Sequence, residues 1–409
     1  MKNNKKSLIP ILILCLFLSG CSYEIPFLDQ IAEKIMAISA DEEASESGDH
    51  EAAAEIVDQE SDPEEEESLS NAYGYQHISE EAQKCYREIL SCMENFEESR
   101  EVTTLDQSVL KTAYLTLMSD RADLFYVNSY SYVEYTNAKN EVISLEFKPN
   151  YTMSQSEKEA YQKSIDEIVE NTYLSEMTED MSDYDKALKV FETMIVNVSY
   201  QADAEQDQNI ISTFIYGQTV CQGYASGYQY LMNKLGIPSF IVTGRASGSS
   251  HAWNMIYLDG NWYCVDVTWG NANYSSDASG EENEAEEDTE NNYVNYVYFA
   301  MTRDLLDQTH TADMPYVLPD TPSNEDSYYI HEGLYFTELD GGAMGSILSK
   351  AYQEHSMCSF MLADEALYNE VLEFYITNQH ITECCQGISE VKYIQDEKNY
   401  VLIFNFCQE

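Results

Sequence analysis

"GQTVCQGYASGYQYL", residues 217–231, sets a cysteine where a glycine-flanked polar turn passes into an apolar helical pattern. Thr219 is a helix-capping residue type, and Tyr224, Tyr228, Leu231 and Leu235 recur at the spacing of one helix face. Gly236, with Pro238 just beyond, supplies the stop. Cys221 therefore falls in the first turn of a predicted helix. In a first turn the helix dipole and the backbone N–H groups favour an anion, which lowers a thiol pKa and also suits the oxyanion of acyl transfer. The competing reading is a buried structural thiol, because cysteine packs as a small hydrophobe. Position alone does not separate the two.

A second stretch does. In "SGSSHAWNMIYLDGNWYCVDVTWGN", residues 247–271, two strand-like runs flank Asp259–Gly260, a strong hairpin-turn dipeptide. His251 opens the first run and Asp266 closes the second. Such positions are expected to face one another across the hairpin, so that the carboxylate holds the imidazole in one tautomer. A thiolate–imidazolium pair oriented by a carboxylate is what cysteine acyl transfer requires. Trp253 shares the His251 face by the two-residue period of a strand, as a channel wall or as core, and Cys264 shares the Asp266 face as filler. Gln222, next to the thiol, is a candidate oxyanion donor, and Gly223 permits close approach.

These runs, "VCQGYASGYQYLMNKLGIPSFIVTG", "HAWNMIYLDGNWYCVDVTW" and the later "NYVYFAMT", resemble the transglutaminase-like superfamily of bacterial surface proteins. The resemblance covers about residues 180–312. It implies an α+β, papain-like core in which a helix bearing the cysteine packs on an antiparallel sheet, with Cys221 as nucleophile, His251 as general base and then acid, and Asp266 as orienter. It implies amide chemistry on protein or peptide substrates, by transfer or hydrolysis. The alternatives are a cysteine peptidase of the same fold and a surface lipoprotein that only binds. The chemistry needs no cofactor, and the spacing of the cysteines and histidines forms no metal-site pattern.

The start of the chain speaks to location. Lys2, Lys5 and Lys6 precede the apolar run "LIPILILCLFL" and then "LSGC". This is the layout of a secretory signal and too short to span a bilayer. "LSGC" resembles the lipobox of bacterial lipoproteins, which implies lipidation at Cys21 and an extracytoplasmic protein anchored to the cell membrane. The net charge of −52 over 409 residues argues against nucleic-acid binding, since phosphates are repelled. Much of the charge lies in 41–67, an acidic run with no aromatic residue, read as an extended spacer, and in 275–292, read as a surface-loop insertion.

The domain reading follows. Residues 1–20 are the signal and 21–72 the acidic spacer. Residues 73–150 are a small α+β module, with helices from Ser79 and across 105–125 and strands at 130–136 and 141–149. Residues 151–315 are the catalytic domain, and 327–409 a second small α/β module beyond a proline-dotted linker, 314–326. "NYVYFAMT" and "YYIHEGLYFT" are expected strands. His331, His355 and His380 read as surface or core residues. Of ten cysteines, setting aside Cys15 and Cys21 leaves eight. Cys85 and Cys92 lie about 10 Å apart along one helix and cannot pair; adjacent Cys384 and Cys385 would form a strained ring. Most are expected to be buried thiols.

Overall fold

Ser79 starts the first long helix of the computed structural model, which describes residues 11–13, 69, 72–202, 208–271, 294–388 and 390–407. Its hydroxyl accepts from Ala82 N, and α1 (Glu80–Glu94) buries Ala82, Tyr86, Ile89 and Met93, which recur at helical spacing. Asp106 caps α2 (Gln107–Asp120) in the same way. Four antiparallel strands complete this part: β1 (Ile11–Ile13), β2 (Arg100–Val102), β3 (Val127–Thr136) and β4 (Val142–Tyr151), in the order β1-β3-β4-β2. The expected spacer and most of the expected signal lie outside the described residues.

Capping boxes at Ser154/Glu157 and Ser182/Asp185 then open α3 (Gln155–Ile168) and α4 (Asp183–Asn197). β5 (Ser199–Tyr200) lies parallel to β6 (Gln218–Thr219), which leads straight into α5 (Cys221–Lys234). The helix ends at Gly236, whose φ of +75° is open to glycine at no cost. The chain turns back into β7 (Ser239–Ala246), β8 (Ser249–Leu258) and β9 (Asn261–Val265), with Asp259 and Gly260 both at positive φ in the connecting turn. A one-turn helix, α6 (Val267–Gly270), follows, and β10 (His310–Ala312) adds to the other edge, giving the order β10-β7-β8-β9. This is the expected α+β arrangement, a cysteine-bearing helix on an antiparallel sheet.

Gly244 shows how tightly β10 is seated. A Cβ there would overlap Thr311 O and Ala312 Cα, so any side chain pushes β10 away. "NYVYFAMT" is not a strand: Tyr296–Tyr298 is a 3-10 turn, and only Met301 bridges, to Cys264. Asn295 explains the difference, because its side chain accepts from Val297 N and turns the backbone.

The C-terminal module carries β11 (Tyr335–Phe336), α7 (Gly341–Glu354), β12 (Met357–Leu362), α8 (Glu365–Leu372), β13 (Lys392–Asp396) and β14 (Val401–Asn405), with sheet order β11-β12-β14-β13. Of "YYIHEGLYFT" only Tyr335–Phe336 is strand. Tyr328–His331 forms a helical turn, and Gly333, at φ +69°, redirects the chain. The segment 314–326 is anchored rather than loose: Tyr316 is buried, and its hydroxyl meets Ser119 Oγ at 2.9 Å.

One apolar cluster runs through α1, α2, α4, α5 and the α5-facing side of β8. A second, on the other side of that sheet, joins Trp253, Met255 and Cys264 to Val401 and Ile403, so the C-terminal module packs on the sheet face away from α5. A third lies within that module. All eight described cysteines are unbridged, and five of them are buried. Among the described residues no helix is long and apolar enough to cross a membrane.

Candidate active site

Helix α5 is nearly engulfed: Cys221 and every residue from Gly223 to Met232 are buried. Its polar atoms are correspondingly tied down. Tyr224 Oη donates to Val198 O at 2.5 Å, Tyr228 Oη to Ala187 O at 3.2 Å, and Gln229 Nε2 to Asp120 O at 2.5 Å. The expected cap is absent. Thr219 belongs to β6, and its hydroxyl lies 2.6 Å from Ser212 Oγ; the N-cap position falls on Val220, which has no side chain to cap with. The N-cap side chain thus takes none of the first-turn N–H groups, and a helix start of this kind suits an anion.

Cys221 and His251 are carried to the same end of the core. Asn254 Nδ2 donates to Ala225 O at 2.9 Å, fixing α5 against β8. β7 doubles back along α5 and β8 doubles back again, so α5 and β8 run in the same sense. Cys221 lies one helical turn, about 6 Å, before that contact. His251 lies three strand residues, about 10 Å, before it and two residues from the start of β8. Within β8, Asn254 points toward α5, whereas His251 shares the opposite face with Trp253 and Met255, near the rim of the sheet.

On that face His251 Nε2 meets Asp266 Oδ2 at 2.7 Å, with His251 3% and Asp266 0% exposed. The expected pairing occurs, though not by direct opposition across the hairpin. The residue opposite Asn254 is Val265, and Asp266 lies just past the ladder as the N-cap of α6. Its other oxygen, Oδ1, accepts from Trp269 N at 3.0 Å. Burial alone would raise this carboxyl. The charge and hydrogen bond of His251, and then those of His310, instead hold it well below the usual carboxylate range. An ionised carboxylate only accepts, so Nε2 of His251 is its protonated nitrogen.

His310 is the residue that sequence reading missed. It comes from β10, is 2% exposed, and brings Nε2 within 3.2 Å of the same Oδ2. Its ring stands edge-on to Trp253 and Trp269, with centroids 5.1 and 4.7 Å apart. Nothing in "DLLDQTHTADM" marks it. Only the pairing of β10 with β7, at His310↔Ala246, carries it to the site.

The remaining sequence candidates sit as follows. Trp253 is 2% exposed and packed in the second apolar cluster. Gln222 is half-buried, and its amide donates along the helix to Ser226 Oγ at 3.4 Å. Cys264 is filler, its thiol pushed up by burial. His331 stacks on Tyr184 and His380 on Phe374, while His355, in the left-handed conformation, ends α7. Among the described residues only His251, Asp266 and His310 group as metal ligands could, and the contacts from Asp266 to both rings are already hydrogen bonds.

Residues 171–267 match the model of the Transglutaminase-like superfamily. The matched segment holds Cys221, His251 and Asp266 and bears out the resemblance carried by the motifs. His310 falls beyond it. The kyphoscoliosis peptidase of Mus musculus is 25% identical over 132 residues, covering 26% of this chain and 20% of that protein. The kyphoscoliosis peptidase of Homo sapiens is 34% identical over 65 residues, covering 13% of this chain and 10% of that protein. The chain thus spans a fifth or less of the length of these curated relatives. The crystal structure of a TGase is 15% identical, with a TM-score of 0.25, covering 35% of this chain and 44% of that one.

Proposed function

We propose that the chain is a thiol enzyme that forms a thioester at Cys221 from peptide or carboxamide substrates. The buried His251–Asp266 hydrogen bond, taken with Cys221 in the first turn of α5, carries this reading. Nε2 of His251 is held by Asp266, which leaves Nδ1 for the thiol. Proton transfer from Cys221 Sγ to Nδ1 yields a thiolate and an imidazolium that the Asp266 anion stabilises. The thiolate attacks the carbonyl, backbone N–H groups of the first turn of α5 receive the oxyanion, and the imidazolium protonates the departing amine. Water, activated by the neutral imidazole, then releases the acid; an amine in its place gives a new amide.

Thioester formation is common to both outcomes. Both kyphoscoliosis peptidases are peptidases by name, which supports hydrolysis as the first outcome to assay. The proposal includes surface attachment: cleavage before Cys21 and its lipidation would hold the enzyme outside the cytoplasmic membrane, facing cell-wall, surface or environmental proteins. A lipidated product without residues 1–20, seen by intact mass after expression in a bacterium, supports that part; an unmodified secreted chain rules it out.

Iodoacetamide labelling near pH 6, read by intact mass, tests the chemistry. Fast incorporation of one label that disappears in Cys221→Ala and slows in His251→Ala is expected. A Cys221 that reacts no faster than an ordinary thiol defeats the proposal and leaves a binding protein.

A further inference from the structure

We infer that His310 is a positioning residue of the active site: its Nε2–H holds the Asp266 carboxylate in the orientation that presents His251 to Cys221. The inference rests on the catalytic reading above, and it adds a residue that lies outside the matched segment and that no motif marks.

The hydrogen-bond inventory around His310 fixes where its proton must be. Nε2 faces an ionised carboxylate, an acceptor only, at 3.2 Å. Nδ1 faces Thr309 Oγ1 at 2.8 Å, and that hydroxyl also lies 3.2 Å from Leu306 O. A hydroxyl has one proton to give. If it goes to Nδ1, His310 is neutral with its proton on Nε2. If it goes to Leu306 O, Nδ1 must itself carry a proton and His310 is an imidazolium. Both arrangements place an N–H on Nε2, aimed at Asp266.

Asp266 therefore takes three donors: His251 and His310 on Oδ2, and Trp269 N on Oδ1. Without His310, the donor left on Oδ2 is His251 itself, the ring that Asp266 has to orient, so His310 is the contact that holds Oδ2 independently of His251. The placement of β10 serves this purpose. It is a three-residue strand held against β7 where Gly244 has no Cβ, and Gly244 pairs with His251 on its other side. The ring is walled by Trp253 and Trp269; the charged or titratable groups nearest to it are Asp266 and His251, with Cys264 and Tyr298 next to Asp266. Water does not reach the pair, so a lost donor is not replaced from solvent.

The test is the rate of iodoacetamide alkylation of Cys221 against pH from 5 to 9. It uses the full chain and compares wild type, His310→Phe, His310→Gln and Thr309→Val, each with a thermal melt. His310→Phe keeps the ring packing without the donor. It should slow alkylation at pH 6 by about 10- to 100-fold, the scale set by misplacing a catalytic group, and move the reactive midpoint toward that of an ordinary thiol. His310→Gln, which keeps an N–H, should recover most of the rate. Thr309→Val, which removes only the Nδ1 partner, should move the midpoint the same way by less, and it carries the test if His310→Phe does not fold. A wild-type midpoint kept in folded His310→Phe overturns the assignment, as does equal loss in His310→Phe and His310→Gln with matching falls in melting temperature. If wild-type Cys221 is itself unactivated, the catalytic reading fails first, and this assignment with it.

Discussion

Asp120 closes α2 in the N-terminal module and Asp266 follows β9 in the core sheet; they are 5% and 0% exposed. Burial pushes both carboxyls up, yet they end on opposite sides of the usual range. Asp120 is raised to about 7, because burial outweighs the backbone hydrogen bonds from Tyr75 N at 3.0 Å and Gly74 N at 3.2 Å and the nearby Arg121 charge. Asp266 is held low because two histidines supply charge and hydrogen bonds inside the same water-free space. Backbone amides satisfy a buried carboxylate without neutralising it. Imidazoles do both, and this makes the Asp266 corner a place where an imidazolium can form during a reaction. Gln229 on the cysteine helix bonds Asp120 O and Ala122 N, which ties the Asp120 end of α2 to α5.

The strongest way to break this contrast is Asp266→Asn. The amide cannot accept equally from two imidazoles, so His251 loses both its orientation and the charge that stabilises its protonated form. Alkylation of Cys221 at pH 6 should fall by about 10²-fold, the thiolate fraction lost when a thiol returns to a pKa of about 8.5. Asp120→Asn should leave that rate within a few-fold. Equal losses in the two variants would mean that both carboxylates act only through the fold.

Next in size is Gly244→Ala. The added methyl meets backbone at Thr311 and Ala312 and cannot be absorbed by a rotamer change. It should cost about 1–3 kcal/mol in urea unfolding, the usual range for overpacking, and should slow Cys221 alkylation as well, because β10 carries His310. Loss of stability without loss of reactivity would separate β10 from the site.

The pH dependence of stability sharpens the contrast further. The folded pKa of Asp266 is depressed, so its contribution is complete above the unfolded carboxylate value of about 3.9 and is lost as the pH falls toward the folded value. Asp120, with its folded pKa raised to about 7, contributes in the opposite sense: complete below about 3.9, and lost as the pH rises through about 7. Urea midpoints at pH 5, 6.5 and 8 should therefore decline more steeply in wild type than in Asp120→Asn. Parallel curves would mean that Asp120 ionises without cost.

How far each corner could be read from sequence follows from the same chemistry. The helix after Cys221, the hairpin at Asp259–Gly260 and the His251–Asp266 pair were legible because they rest on local periods and one turn dipeptide. Three features depend on partners that no local period marks, and these were not. Thr219 fits a cap by residue type, but its hydroxyl is taken by Ser212. Asp120 reads as an ordinary helix end, and its partners lie 45 and 46 residues earlier. His310 is separated from Asp266 by 44 residues and reaches it through a three-residue strand with no apolar alternation. β13 escaped notice because "KYIQD" is half-exposed and charged at both ends.

The smallest effect is expected at the acidic run 275–292, which was read as a surface insertion and lies outside the described residues. Its base is visible: Asn271 bridges Val294, and Asn295 N donates to Gly270 O at 2.8 Å. The chain thus leaves and re-enters the core at neighbouring points, immediately after the turn that holds Asp266 and Trp269. Loop-closure cost changes slowly with length, by about 0.6 kcal/mol per doubling. Replacing 277–290 by a short Gly/Ser linker should therefore shift the urea midpoint little and leave Cys221 alkylation by iodoacetamide unchanged. A large fall in stability would mean that the insertion contributes to the fold. Unchanged stability with faster labelling of Cys221 would mean that the acidic run restricts access to the thiol, and would give the Asp266 corner a neighbour that regulates it.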